Sequence, residues 1–522
     1  MKRIPALDSI RGLLLVLMTI NHLIWISGGR SILQLFTQQP LGQFGSAEGF
    51  VFISALLAGA IYSKPSLTSL DVRKKAFSRA FTIYRYHLLC LLAVCGWVVF
   101  CVYNLPSTRH LMGPNLPNIL VAPLETSILS ALLINKPNYF DILPLYVLFM
   151  LILPVAIAAY RRGLMWLVLL ISIGIWLASG SISDAMLLPL FKAISPEMQV
   201  QTGYFDPFAW QLLFIAGSAL GYLQHKESFS WRHPALTVVA LIIAALLFVA
   251  HHGAFAQYGI HQGVLYSQAS KPELGWLRLL NLATWVYLIA LIIESYPKVL
   301  VFRPLSYLGR HSLHVFSWQA VLIYVAAPFL NEIRYEAVYL IAVALLTATL
   351  WIPAWQRESK STAATQQRNR LLTATAFLAL IAVNFGLVNS PAPTVDSAGV
   401  NTGPMPLTIE IKQLVDQTSP VFVMVYDEKD DLMGGASVHA RPYSVEEVTQ
   451  GVTIEELAAG HYAIFAFQDT DQNMTLSFGA GGIPSEGFGY SNDPLLQGMP
   501  TMDQIKFAHN APQTQTIRMN NF

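Results

Sequence analysis

Long apolar runs, broken by short polar loops, fill the first three quarters of the chain. A bilayer core of about 30 Å requires about 20 mostly apolar helical residues. On that scale eleven stretches qualify as membrane helices: about 9–27, 45–62, 80–103, 142–160, 163–179, 208–224, 235–251, 277–295, 311–330, 335–353 and 371–389. A further stretch, about 118–134, contains Pro123 and Glu125 and is less apolar, which predicts an amphipathic or re-entrant piece. After residue 390 the pattern changes. A linker rich in Pro, Ser, Gly and Thr, NSPAPTVDSAGVNTGPMP, cannot bury enough apolar surface to fold alone. Beyond it, VFVMVYD (421–427), ASVHA (436–440) and HYAIFAFQD (461–469) alternate with the period of half-buried strands.

These patterns predict a polytopic α-helical membrane protein of about 11 transmembrane helices, followed by a small extracytoplasmic β-sandwich. The expected division is a membrane domain over 1–355, a loop and extra helix over 356–390, a linker over 391–406 and the sandwich over 407–522.

Composition agrees with this class, since 54% of the 522 residues are hydrophobic and only 12% are charged. Charge placement sets the orientation. With the N-terminus in the cytoplasm, the inner loops and Lys2 and Arg3 hold 18 Lys and Arg, and the outer loops hold six: Arg30, Arg109, Lys136, Lys192, Lys271 and Arg334. Making 118–134 a full span would invert every later loop and place the basic 354–370 segment outside. An odd number of spans then puts the tail outside. Asn21 and His22 interrupt the first apolar run and no small-residue cleavage site follows, so a retained helix is expected there. A net charge of +2 without clusters of basic and aromatic residues gives no reason to expect nucleic acid. Cys90, Cys95 and Cys101 share one apolar run, where packing is the expected role.

Candidate chemistry gathers in the first three spans. Arg11 and His22 are eleven residues apart, about three helical turns and about 16 Å, so they lie nearly on one face. Asp8 is one turn below Arg11. This places an acid and an arginine at the inner mouth and a histidine past the membrane midplane. An arginine there suits a phosphate, and a carrier with a long flexible arm, as in coenzyme A, could bring a thioester to the imidazole. Glu48, in FGSAEGFVFISALLAG, enters at about the depth of His22, where a carboxylate could orient the imidazole and stabilise its cation. Gly45, Ser46, Ala47, Gly49 and Gly59 would allow close helix approach. The third span begins RKKAFSRAFTIYRYH and contributes Arg79, Arg85 and His87; the six-residue spacing lets only one of the two arginines face the same cavity.

Each group also has a plainer role. A lone intramembrane histidine can pack against a carbonyl, and basic residues at helix ends reach for head groups. Asp8, Arg11, Glu48 and Arg79, converging with His22 from three spans, favour function, because buried charge in a membrane is costly. Asp141 and Asp206 stand at helix starts, where a carboxylate caps amides, but both also face the side from which an acceptor would arrive. Trp210 and Gln211 suit a sugar platform and a hydrogen-bonding partner, although aromatic belts are common at that depth. His311 fits a helix end, whereas His314 and Gln319 could line the cavity. Asp469, Asp471 and Asn473 have the spacing of a calcium loop, but Met474 and Ala480 replace its glycine and glutamate. No metal is expected.

An arginine, ten residues and a histidine in the first span resemble the signature of the acyltransferase-3 superfamily. More specifically, LDSIRGLLLVLMTINHL, SAEGFVFIS, FTIYRYHLL, YFDILPLYVLFMLILP, FDPFAWQLLFIAGSALGY and LGRHSLHVFSWQ resemble successive blocks of the OpgC family, over roughly residues 5–355. That family is associated with succinyl substitution of osmoregulated periplasmic glucans. The resemblance implies His22 as the catalytic histidine and Arg11, with the third-span arginines, as contacts of the acyl donor. It also implies an acyl-CoA donor (succinyl-CoA or acetyl-CoA), a periplasmic glycan acceptor and a place in the bacterial inner membrane. The tail around HYAIFAFQDTDQN and GGIPSEGFGYSND resembles exported bacterial domains of unestablished function. Two alternatives stay open. His22 and Glu48 could form the proton relay of a glycan or organic-acid exporter, or the tail could be a glycan-binding module on a degenerate anchor.

Overall fold

The computed structural model describes residues 4–27, 31–105, 112, 123–183, 185–186, 203–226, 230–255, 258, 262–333, 335–358, 404–414, 416, 418–428, 437–470, 476, 486–492, 500 and 502–520. Its contacts divide the chain into two units, Met1–Ser390 and Pro391–Phe522.

The described helices of the first unit are α1 (Pro5–Ile26), α2 (Gln34–Thr37), α3 (Ser46–Tyr62), α4 (Ser69–Asn104), α5 (Pro123–Ala131), α6 (Ile142–Arg161), α7 (Met165–Leu177), α8 (Pro207–Lys226), α9 (Pro234–His251), α10 (Gln262–Gln268), α11 (Trp276–Ser295), α12 (Arg303–Arg310), α13 (Ser312–Asn331), α14 (Glu336–Ala348) and α15 (Trp351–Glu358). Seven segments among the described residues are long and apolar enough to cross a membrane: α1, α4, α6, α9, α11, α13 and the α14–α15 run. Three more helices stand where spans were expected. Of these, α3 has 17 residues and α7 only 13, so neither reaches the length of a straight crossing, and α8 is not among the seven. The expected span 371–389 lies outside the described residues. Within 118–134, helix is described over Pro123–Ala131 alone.

Local signals explain where the helices begin. Pro5 occupies the first turn of α1, where a missing amide hydrogen costs nothing. Thr68 caps α4: its hydroxyl accepts from the Asp71 amide at 3.1 Å and the Asp71 carboxylate accepts from the Thr68 amide at 3.0 Å. Large apolar side chains point outward on several helices; Leu92, Val155, Trp166 and Leu170 are each about two thirds exposed or more. A soluble fold would bury such surface, whereas a bilayer solvates it.

Glycines set the two closest helix contacts. A Cβ on Gly12 would overlap the Leu305 carbonyl and one on Gly309 would overlap that of Asp8, so α1 and α12 meet backbone to backbone. Gly59 and Gly221 do the same for α3 and α8, against the carbonyls of Ser218 and Leu56.

The second unit contains β1 (Met405–Lys412), β2 (Val421–Asp427), β3 (His439–Tyr443), β4 (Val452–Leu457), β5 (Gly460–Gln468), β6 (Phe488–Tyr490), β7 (Phe507–His509) and β8 (Gln513–Arg518). One sheet has the order β4-β1-β8, with β1 and β8 parallel; the other has the order β3-β2-β5-β6, with β7 also pairing β5. The alternation read in 421–427 is the burial pattern of β2. Leu407, Ile409 and Ile411 from one sheet and Val421, Val423, Val425 and Ile464 from the other share one core. Asp471, Asn473, Met474 and Ala480 lie outside the described residues.

Candidate active site

His22 lies in the last two turns of α1, half-buried. Gln319, on α13 and 1% exposed, places its amide nitrogen 3.0 Å from Nδ1 of the imidazole. The Tyr139 ring packs against His22 with centroids 4.7 Å apart, and Trp25 stands at 6.0 Å. One residue earlier, Asn21 donates to the Thr37 carbonyl at 2.8 Å and accepts from the Thr37 hydroxyl at 2.8 Å, which ties this end of α1 to α2. No described residue bonds Nε2 of His22. The imidazole is therefore held at one nitrogen and open at the other.

Glu48 stands elsewhere than expected. Its Oε1 is 2.7 Å from Nη1 of Arg278, both side chains being almost wholly buried, and its Oε2 accepts from the Gly45 amide at 3.0 Å. Arg278 also donates through Nε to the Ala269 carbonyl at 2.9 Å. The carboxylate thus joins the start of α3 to the start of α11, and the group that orients His22 is Gln319. Two buried opposite charges in low dielectric attract far more strongly than a carboxylate and a neutral imidazole. Arg278 opens an apolar run, and an arginine inside an expected span is the signal that could have singled it out.

At the other end of α1, Nη2 of Arg11 donates to the Ser312 hydroxyl at 2.6 Å, and its guanidinium lies 5.5 Å from the Phe50 ring centroid. Its Nε is buried without a described partner, as is Nε2 of His314. His314 packs edge-on to Tyr86 at 5.2 Å. Arg79 is exposed, and its charge acts on both Arg11 and His314. Arg85 is exposed with no described partner. Asp8 is buried one turn below Arg11. Arg11, Arg79, Ser312 and His314 form a polar group about three turns along α1 from His22, open enough in hydrogen-bonding capacity to hold an anion.

The expected acceptor residues separate into different roles. Trp210 is fully buried and packs tilted against Phe205, with ring centroids 4.2 Å apart, while its Nε1 donates to the carbonyls of Lys271 and Pro272, each at 3.1 Å. It offers no face to a sugar and forms no interfacial belt. Gln211 is also buried, and its amide is spent on Ser172, accepting from the hydroxyl at 2.7 Å and donating to the carbonyl at 2.8 Å. Asp206 accepts from the Phe208 amide at 2.7 Å and from the Ser183 hydroxyl at 2.8 Å, which makes it the cap of α8. A helix-start position alone does not distinguish an outward side chain from one turned into the bundle. Asp141, at the start of α6, does not cap that helix but accepts from the Tyr204 amide at 2.8 Å. Burial pushes its carboxyl up to about 6, against the opposing pull of Lys136.

By sequence Lys271 is one of six outer-loop cations; the structure gives it particular neighbours. Its ammonium lies 5.7 Å from the Phe205 ring centroid and 5.9 Å from that of Tyr204, and its charge acts on His22 and Glu48.

Comparison with known proteins adds two matches. A family model described as OpgC protein matches residues 3–362, and one described as an uncharacterized protein conserved in bacteria, DUF2141, matches residues 409–517. No curated protein and no solved structure matches the chain.

Proposed function

The chain belongs to the OpgC protein family, and from that premise we propose that it is a membrane O-acyltransferase. In this reading it moves an acyl group, succinyl by the family's association, from cytoplasmic acyl-CoA to a hydroxyl of a periplasmic glycan such as an osmoregulated glucan. The observation that carries it is the construction of α1, with an arginine near one end and, three turns on, a histidine held at Nδ1 by Gln319.

Turned so that its Oε1 accepts from Nδ1–H, the Gln319 amide selects the tautomer in which Nε2 bears the lone pair. That turn also gives a partner to Oε1, which is otherwise buried without one. Nε2 takes the proton of the acceptor hydroxyl as its oxygen bonds to the acyl carbon. The carbon–sulfur bond breaks, and the imidazolium returns the proton to the departing thiolate. Arg11, Arg79 and His314 hold the phosphates of the carrier, and Ser312 keeps the Arg11 fork in place. Glu48 acts through Arg278, fixing the loop and helix start beside His22, and makes no contact with the reacting atoms.

The test is transfer from labelled acyl-CoA to glucan by purified protein. His22→Ala lowers it by about 100- to 10,000-fold, the range of a general base, and unchanged transfer overturns the assignment.

A further inference from the structure

Lys271 is a cation held in place that forms no ion pair among the described residues. The loop that carries it is fixed along its backbone: Trp210 donates to the carbonyls of Lys271 and Pro272, the Asp206 amide donates to Pro272 at 3.1 Å, and Trp176 donates through Nε1 to Leu274 at 3.0 Å. Two indole donors, one buried and one half-buried, and a helix-capping residue therefore determine where this lysine sits. Its ammonium rests over two aromatic rings and, among the described residues, makes no hydrogen bond and no ion pair.

The carboxylates around it are committed. Glu48 is paired with Arg278 at 2.7 Å, Asp141 accepts from the Tyr204 amide, and Asp206 caps α8. The loop gathers with those carrying Tyr139 and Tyr204 at the end of the bundle where α1 reaches His22. A fixed cation flanked by rings, at the His22 end of the bundle and away from Arg11 at the other end of α1, matches an anion at the far end of the donor's acyl chain.

Resting on the acyl-transfer reading, we propose that Lys271 receives the free carboxylate of a dicarboxylic acyl group. The donor's phosphates then lie at Arg11, its thioester at His22 and its terminal carboxylate at Lys271. The residue selects the acyl group by charge, because a neutral acyl chain of equal length leaves the ammonium without its partner.

The experiment uses full-length protein and two four-carbon donors, succinyl-CoA and butyryl-CoA, which differ in the terminal carboxylate. Lys271→Met lowers kcat/KM for succinyl-CoA by about 10- to 100-fold, the worth of a charged hydrogen bond, and leaves butyryl transfer within about twofold, the scatter between independent sites. Lys271→Arg keeps the preference for succinyl. Equal losses with both donors in protein that elutes as wild type overturn the proposal, as does an unchanged succinyl rate. The same variants are assayed on a neutral and an anionic glucan; a loss that follows the acceptor's charge instead assigns Lys271 to the acceptor and overturns the acyl role. Calorimetric binding of succinyl-CoA separates the two readings. Binding that weakens in Lys271→Met, without any transfer by wild type, keeps the anion contact and removes the enzyme, whereas wild-type transfer with equal binding by the variant does the reverse.

Discussion

Glu48 and Arg278 are 0% and 1% exposed, and each satisfies the other. Taking away one charge leaves its partner buried and uncompensated, at a cost of about 3–5 kcal/mol. Glu48→Gln and Arg278→Met are each expected to lower the melting temperature in detergent markedly, while Glu48→Gln combined with Arg278→Met recovers much of the loss. Melting of the two single variants and the double variant measures this directly. A carboxylate that oriented His22 would instead lose activity without losing stability. At this scale the sequence was legible where a residue type contradicts its surroundings: Arg11 and His22 in an apolar run need a reason to be there. It was not legible where two faces of one helix suit the same residue. Trp210 and Gln211 read as acceptor contacts, but the fold turns both inward, where their polar atoms meet the 271–272 carbonyls and Ser172.

Among the elements, α1 acts as a rod whose position α12 determines. Gly309→Ala places a methyl on the Asp8 carbonyl and forces the two helices apart. Overpacking of this kind costs about 1–3 kcal/mol, and the shift carries Arg11 with it. Weaker acyl-CoA affinity together with a lower melting temperature is the expected outcome, read by titration calorimetry and thermal scanning. In the second unit, the turn into β2 is set by Asp416. Its carboxyl accepts from the Ser419 and Thr418 hydroxyls and from the Thr418 amide at 2.8 Å, which holds it down to about 2 from an ordinary 3.8. A folded value below the unfolded one stabilises above the unfolded value and is lost as pH falls through the folded one. The difference in unfolding temperature between wild type and Asp416→Asn is therefore expected to be full at pH 5 and to shrink as the pH falls toward 2, measured by scanning calorimetry of the full chain. Neither prediction could be made from spacing alone, because a glycine in an apolar run shows that close approach is possible but not which helix approaches.

Every residue of the candidate site lies in the unit Met1–Ser390, and the OpgC match ends at residue 362. Removing residues 391–522 is accordingly expected to leave acyl transfer within about twofold, the residual expected when the removed residues supply none of the site. The labelled-transfer assay on the truncated chain checks it. What the sequence determined by itself about this protein is its class and the existence of the α1 pair. Hydrophobic period separates helix from strand, and an arginine and histidine eleven residues apart share one helix face whatever surrounds them. What only the tertiary structure decided is which partner each buried polar group takes. Gln319 lies 297 residues from His22 and Arg278 lies 230 from Glu48. Hydrogen bonds and ion pairs act over a few ångströms in space, and local sequence does not say which distant segment comes within that range.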